Sequence, residues 1–166
     1  MPRRSLLALG LIAGCIGLDQ GTKRLAVLHL LGARPINLLF GLVRLSYAEN
    51  TGAWGSLGSH WPAVLKLLAF VIAPGLLLLM MFLFLMTRRG LNLATMFAYS
   101  MIVGGGASNL LDRVRAGAVV DFLYIGVGWL GTNIFNVADV AVVAGVLLLL
   151  VSSRSGAPPP VITSEH

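Results

Sequence analysis

Acidic side chains are scarce in this chain: six Asp and Glu stand against twelve Lys and Arg in 166 residues. Cysteine occurs once, at Cys15, which excludes an intramolecular disulfide, and no Cys/His cluster has metal-ligand spacing. His29 and His60 stand alone and read as interfacial side chains. Charged residues make up only 11% of the chain, against 57% hydrophobic and a mean hydropathy of +0.90, which excludes an ordinary soluble domain. The formal charge of +6 is scattered over the ends of apolar runs, with no basic stripe interleaved with aromatics, so nucleic acid is not the implied partner. There is no internal repeat. What remains is a small integral membrane protein.

Four stretches are long and apolar enough to be read as spans, at about 6–28, 62–86, 91–111 and 134–151. In the first, Asp19 and Lys23 are spaced i,i+4 near the outer end, which suits an ion pair on a helix face, and Lys23 and Arg24 are expected to snorkel to the interface. A rival reading comes from Ile12-Ala13-Gly14-Cys15, which resembles the lipobox at which a lipoprotein precursor is lipidated and cut. Cleavage there would discard half of a spanning segment. The second stretch holds Pro74-Gly75 near its middle, where a kink is expected. The third carries Gly104-Gly105-Gly106-Ala107-Ser108, small residues that let another backbone approach.

Between the first two stretches, Val43–Tyr47 alternates apolar and polar as a half-buried strand does, and Ile36–Leu39 could pair with it across Phe40-Gly41. Asn50-Thr51-Gly52 reads as a turn, followed by a short apolar patch with Trp54 suited to an interface. Residues 116–132 read as a polar-to-apolar connection. Residues 152–166, with three consecutive prolines, are too polar and proline-rich to pack and read as a disordered tail.

Three of the six acids lie between Asn109 and Asp139, between or inside apolar runs. A carboxylate near hydrocarbon costs about 2.5–3.5 kcal/mol at mid-helix on insertion scales, so Asp112, Asp121 and Asp139 are functional candidates. Asp139 is the sharpest, because apolar sequence follows it to Val151. Asn109/Asp112 and Asn136/Asp139 are each spaced i,i+3, so each pair shares a face if helical. Asp112-Arg113 could equally be an interfacial ion pair, and Asp121 a loop residue.

The order Ser108-Asn-Leu-Leu-Asp-Arg113, Val119-Val-Asp-Phe122 and Phe135-Asn-Val-Ala-Asp139, with Asp19-Gln20 and Asn50-Thr51-Gly52 before it, resembles the lipoprotein signal peptidases (signal peptidase II), the bacterial intramembrane aspartic proteases. The resemblance covers nearly the whole chain. It implies an all-α membrane protein: four transmembrane helices with a small extracytoplasmic β element and flap between helices 1 and 2, in one domain over residues 1–151. It assigns a catalytic dyad to Asp121 and Asp139. Asn109 and Asn136 would orient carboxylates or substrate backbone, and Arg113 with Asp112 would fix the local backbone. Asp19, Lys23, Asn50 and Gly52 would support them; the family keeps an aspartate and a lysine in a D-Q-x-x-K pattern here.

The implied substrate is a prolipoprotein carrying a diacylglyceryl group on its lipobox cysteine, cut just before that cysteine by a monomer that needs no metal or organic cofactor. Departures are Trp54-Gly55, where the family has Ala-Phe after N-T-G-A, and Ser108, where it more often has glycine. The basic residues favour cytoplasmic termini, with the site near the outer leaflet of the bacterial inner membrane. A proton-coupled transporter using Asp121 and Asp139, a non-enzymatic membrane scaffold, and a lipoprotein cut at Cys15 are the alternatives.

Overall fold

The computed structural model describes residues 3–88, 90–127 and 130–154. Four helices are joined by an antiparallel sheet: α1 (Arg3–Leu30), α2 (Ala63–Thr87), α3 (Leu93–Ala116) and α4 (Val137–Arg154). The tail from residue 155, Arg89 and the side chains of Trp54, Ser153 and Arg154 lie outside the described residues.

Helix α3 is the central element, and its three glycines show why. A Cβ on Gly104 would lie 2.7 Å from the Cys15 Cβ of α1. On Gly105 it would lie 2.5 Å from the Ala138 carbonyl oxygen of α4, and on Gly106 2.6 Å from Leu78 of α2. Consecutive residues of a helix point about 100° apart, so three adjacent small residues admit three different neighbours. Helix α3 starts at Asn92, whose side chain accepts from the Thr95 N–H at 2.7 Å, and ends at Gly117 in the left-handed conformation.

Helices α1 and α2 are, among the described residues, the two long and apolar enough to cross a membrane. None of the most apolar window of α2 is buried, so its hydrocarbon faces outward. The expected kink in α2 takes a specific form. Pro74 cannot donate to the Phe70 carbonyl, and Leu68–Ile72, just before it, is a π-helical turn in which the Ala73 N–H donates to the Leu68 oxygen.

The β element is larger than expected. Strands β1 (Ile36–Leu38) and β2 (Val43–Asn50) form the anticipated hairpin. Residues 116–132 are not a plain connection, however: β3 (Val119–Val127) pairs with β2, and β4 (Leu130–Gly131) pairs with β3, in the order β1-β2-β3-β4. The sheet therefore joins the α1–α2 and α3–α4 connections, because β-branched Val119-Val120 meets a free edge on β2. From Leu45↔Leu123 to Ala48↔Asp121, β2 advances three residues and β3 two, a bulge that sets Asp121 opposite small Ala48.

The apolar core, Ala8, Ile12, Leu85, Met96 and Val103, fills the end of the bundle holding the start of α1 and the α2–α3 loop. Of the buried polar groups among the described residues, Asp19, Lys23, Ser108, Asp121 and Asn136 gather at the other end, beneath the sheet, while Ser100 donates to the Met96 carbonyl within α3.

Candidate active site

Asn136 sits between the two aspartates. It is not inside the fourth helix, as the span 134–151 implied, but caps it. Phe135 forms a β-bridge with Leu123, two residues along from Asp121, and this delivers Asn136 to the sheet. Its amide nitrogen donates to Asp121 Oδ1 at 2.7 Å and to Asn109 Oδ1 at 3.1 Å. Its carbonyl oxygen Oδ1 accepts from the Asp139 N–H at 3.0 Å, while Asp139 Oδ2 accepts from the Asn136 N–H at 3.1 Å. This is a reciprocal capping box closed by a carboxylate at the third helical position. Asp139 thus lies in the first turn of α4, where the helix dipole favours a negative charge, rather than in a dry helix interior. Asn136 itself is 0% exposed.

Asp121 is also buried. Its Oδ2 accepts from the Asn50 amide at 3.3 Å, and Asn50 Oδ1 in turn holds the Gly52 N–H at 3.0 Å. Burial first, and the charge of Asp139 second, push the Asp121 carboxyl up to about 6, against the opposing pull of the Asn136 and Asn50 hydrogen bonds and of Lys23. A cavity of about 200 Å³ opens beside Asp121, lined by Asn50, Gly55, Ser56, Asn133 and Ile134. A larger recess of about 470 Å³, bounded by Arg24 and Arg115, reaches Lys23 and Asp112 but neither Asp121 nor Asp139.

A second tier sits behind the pair. Asn109 donates to Asp139 Oδ1 at 2.8 Å and accepts from Lys23 at 2.7 Å. Lys23 does not snorkel. It is buried, with Asp19 and Asp112 each at 2.6 Å, so the expected ion pair with Asp19 forms and a second is added. Asp19 Oδ1 accepts from the Ala138 N–H at 2.8 Å, satisfying another orphan donor of α4. The expected pairing of Asp112 with Arg113 is not made. Neighbours in a helix diverge, so Asp112 faces Lys23 and Gln20, while Arg113 donates to the Gly52 carbonyl at 2.9 Å.

Two participants, Gln20 and Ser108, escaped the reading of residue roles. The Ser108 hydroxyl donates to Asp19 Oδ2 at 2.7 Å and accepts from Gln20 at 3.0 Å. Their signal was a polar side chain within an apolar run, on positions already noted for other reasons. Among the described residues no group of three or more His, Cys, Asp or Glu could hold a metal ion.

Residues 11–154 match the family model described as signal peptidase (SPase) II. The chain belongs to the signal peptidase II family. It is a peptidase by that membership. Its relatives include proteins named lipoprotein signal peptidase from Chlorobium phaeobacteroides (strain BS1), 34% identical over 82% of this chain and 88% of that protein, and from Mycobacterium leprae (strain Br4923), 38% identical over 93% and 75%. The fold is that of a solved bacterial membrane enzyme, determined by the in meso method at 2.3 Å, with a TM-score of 0.76 at 23% identity over 90% of this chain and 88% of that one.

Proposed function

We propose that the chain is a multi-pass bacterial inner-membrane aspartic endopeptidase that removes the signal peptide from diacylglyceryl-modified prolipoproteins, cutting just before the lipidated cysteine. The family and the names of its relatives support lipoprotein signal-peptide cleavage. The observation that carries the two-aspartate mechanism is Asn136, whose side chain and backbone hold Asp121 and Asp139 at once.

All four helices cross the bilayer in this reading, with both termini cytoplasmic and the sheet and aspartates at the outer leaflet. The Arg4 guanidinium donates to the Leu91 carbonyl at 2.9 Å, so the start of α1 and the α2–α3 loop share one end. Two carboxylates held together cannot easily both ionise and share one proton. In this mechanism Asp121, whose carboxyl is raised by burial, carries that proton. Protonated Asp121 donates to the scissile carbonyl oxygen while ionised Asp139 takes a proton from the attacking water. The new C–O bond forms, that proton passes to the amine nitrogen, and the C–N bond breaks.

Residues 50–57 act as a flap over the cavity, hinged on the Asn50 turn and tied to α3 through Arg113. Lys23, Asp19, Asp112 and Asn109 are positioning residues, and the enzyme works as a monomer.

Purified protein and a lipidated lipobox peptide test this. Asp121→Asn and Asp139→Asn each abolish cleavage, and the double variant is no worse than either single, because each deletion stops the same step. Near-normal hydrolysis by Asp139→Asn removes Asp139 from the reaction and the dyad with it.

A further inference from the structure

The far end of the sheet is apolar and open. At the β1–β2 turn Leu39, Phe40 and Gly41 all have positive φ, and Phe40 exposes 112% of its reference area. Two large apolar residues are held in a conformation that crowds their own carbonyls, with no protein contact over Phe40 to compensate. Leu38 and Leu42 beside them are also exposed.

The strand register carries this edge further. Val43 stands opposite Ile125, the Gly126 N–H donates to the Leu42 carbonyl at 2.9 Å, and Val127 pairs with Leu130. Ile125, Val127 and Leu130 are exposed at the same end. A contiguous apolar edge of this kind marks an interaction surface.

Its surroundings indicate what covers it. Arg34 is exposed just before β1, and the Arg44 guanidinium on β2 stacks 4.2 Å over the Tyr124 ring. Cations and a tyrosine beside an apolar edge match the headgroup layer of a bilayer. Leu28 and Leu31 are exposed too, where the chain leaves α1. From Leu30 to Ile36 the chain can reach about 20 Å at most, so the sheet begins close to the lipid around that helix.

We infer that the Leu39-Phe40 turn inserts into the acyl region of the outer leaflet, pinning the sheet, and Asp121 on it, at a fixed depth. This rests on the reading of the helices as membrane spans. The Leu39 and Phe40 strain presents both side chains to lipid, which takes the place of a protein core.

A single nitroxide tests it. Cys15→Ala protein carrying a label at Phe40→Cys, in vesicles of phosphatidylcholine and phosphatidylglycerol, is probed with oxygen and with a water-soluble nickel chelate. Oxygen collisions should exceed nickel collisions several-fold. The same label at Leu77→Cys, exposed midway along α2, is the reference. A nickel-dominated Leu77 defeats the spanning reading. An oxygen-dominated Leu77 with a nickel-dominated Phe40 defeats the inserted turn alone. Spin–spin broadening at Phe40 that vanishes on dilution with unlabelled protein would mean that a second copy covers the turn, which also overturns the inference.

Discussion

At the residue scale the Lys23 ammonium has three N–H donors and three oxygen neighbours, Asp19, Asp112 and Asn109, at 2.6, 2.6 and 2.7 Å. Lys23→Met would leave two carboxylates without their cation in a buried site, a loss of about 3–5 kcal/mol, read as a large drop in Tm or failure to accumulate. Asp112→Asn is milder, about 1–3 kcal/mol, because Lys23 keeps Asp19. The partner that matters to that substitution is Lys23, not Arg113. An unchanged Tm for both variants would remove the cluster from the fold's support.

Asp121 makes a pH-dependent prediction at the same scale. Its folded-state value of about 6 lies above the ordinary 3.8, so its contribution to stability is fully present below pH 3.8 and is lost as pH rises through 6. Asp121→Asn removes that dependence. The Tm of the variant relative to the parent should therefore shift in the variant's favour between pH 4 and pH 7, checked by thermal unfolding at both. With Asp121 as the acid, kcat/KM falls on the alkaline side once the proton leaves. A profile flat from pH 5 to 8 would move the shared proton elsewhere.

At the element scale the position of α4 is set by close approach and by capping together. Gly105 meets the Ala138 carbonyl, one residue before Asp139, and the Ala138 N–H is held by Asp19. Gly105→Ala puts a methyl 2.5 Å from that backbone oxygen, and no flexible side chain can yield there. The cost is about 1–3 kcal/mol or more, and because Asp139 moves with α4 the loss of kcat should exceed what the stability loss explains. Gly117→Ala, where an added Cβ meets nothing but φ is +73°, is the control: destabilised, with kcat retained. Equal kcat losses in the two would refute a positioning role for the α3–α4 contact.

At the scale of the whole molecule α1 cannot be separated from the site. The helix runs unbroken through Cys15, whose Cβ packs on Gly104, to Asp19 and Lys23. Processing at Cys15 would strip the apolar core contacts of Ala8 and Ile12. Intact mass of the membrane-extracted protein should show α1 retained and Cys15 unmodified. A mature chain beginning at diacylated Cys15 would overturn the four-helix arrangement.

The sequence by itself determined the four helices, to within a few residues at most ends, and the β1–β2 hairpin, because hydrocarbon length and two-residue alternation are local properties. It also singled out Asp121, Asp139, Asn109 and Asn136, since polar groups among apolar residues stand out without any coordinates. Tertiary structure alone decided the partners. That β3 completes the sheet depended on a free edge of β2 some seventy residues away. That Lys23 turns inward depended on Asp112 and Asn109 of α3 reaching it, where chain proximity suggested only Asp19 and solvent. Asn136 became a cap because the Phe135–Leu123 bridge holds the residue before it in extended backbone. Periodicity registers which face a residue shares, but ion pairs and caps are set by distances between elements, and those exist only once the helices have packed.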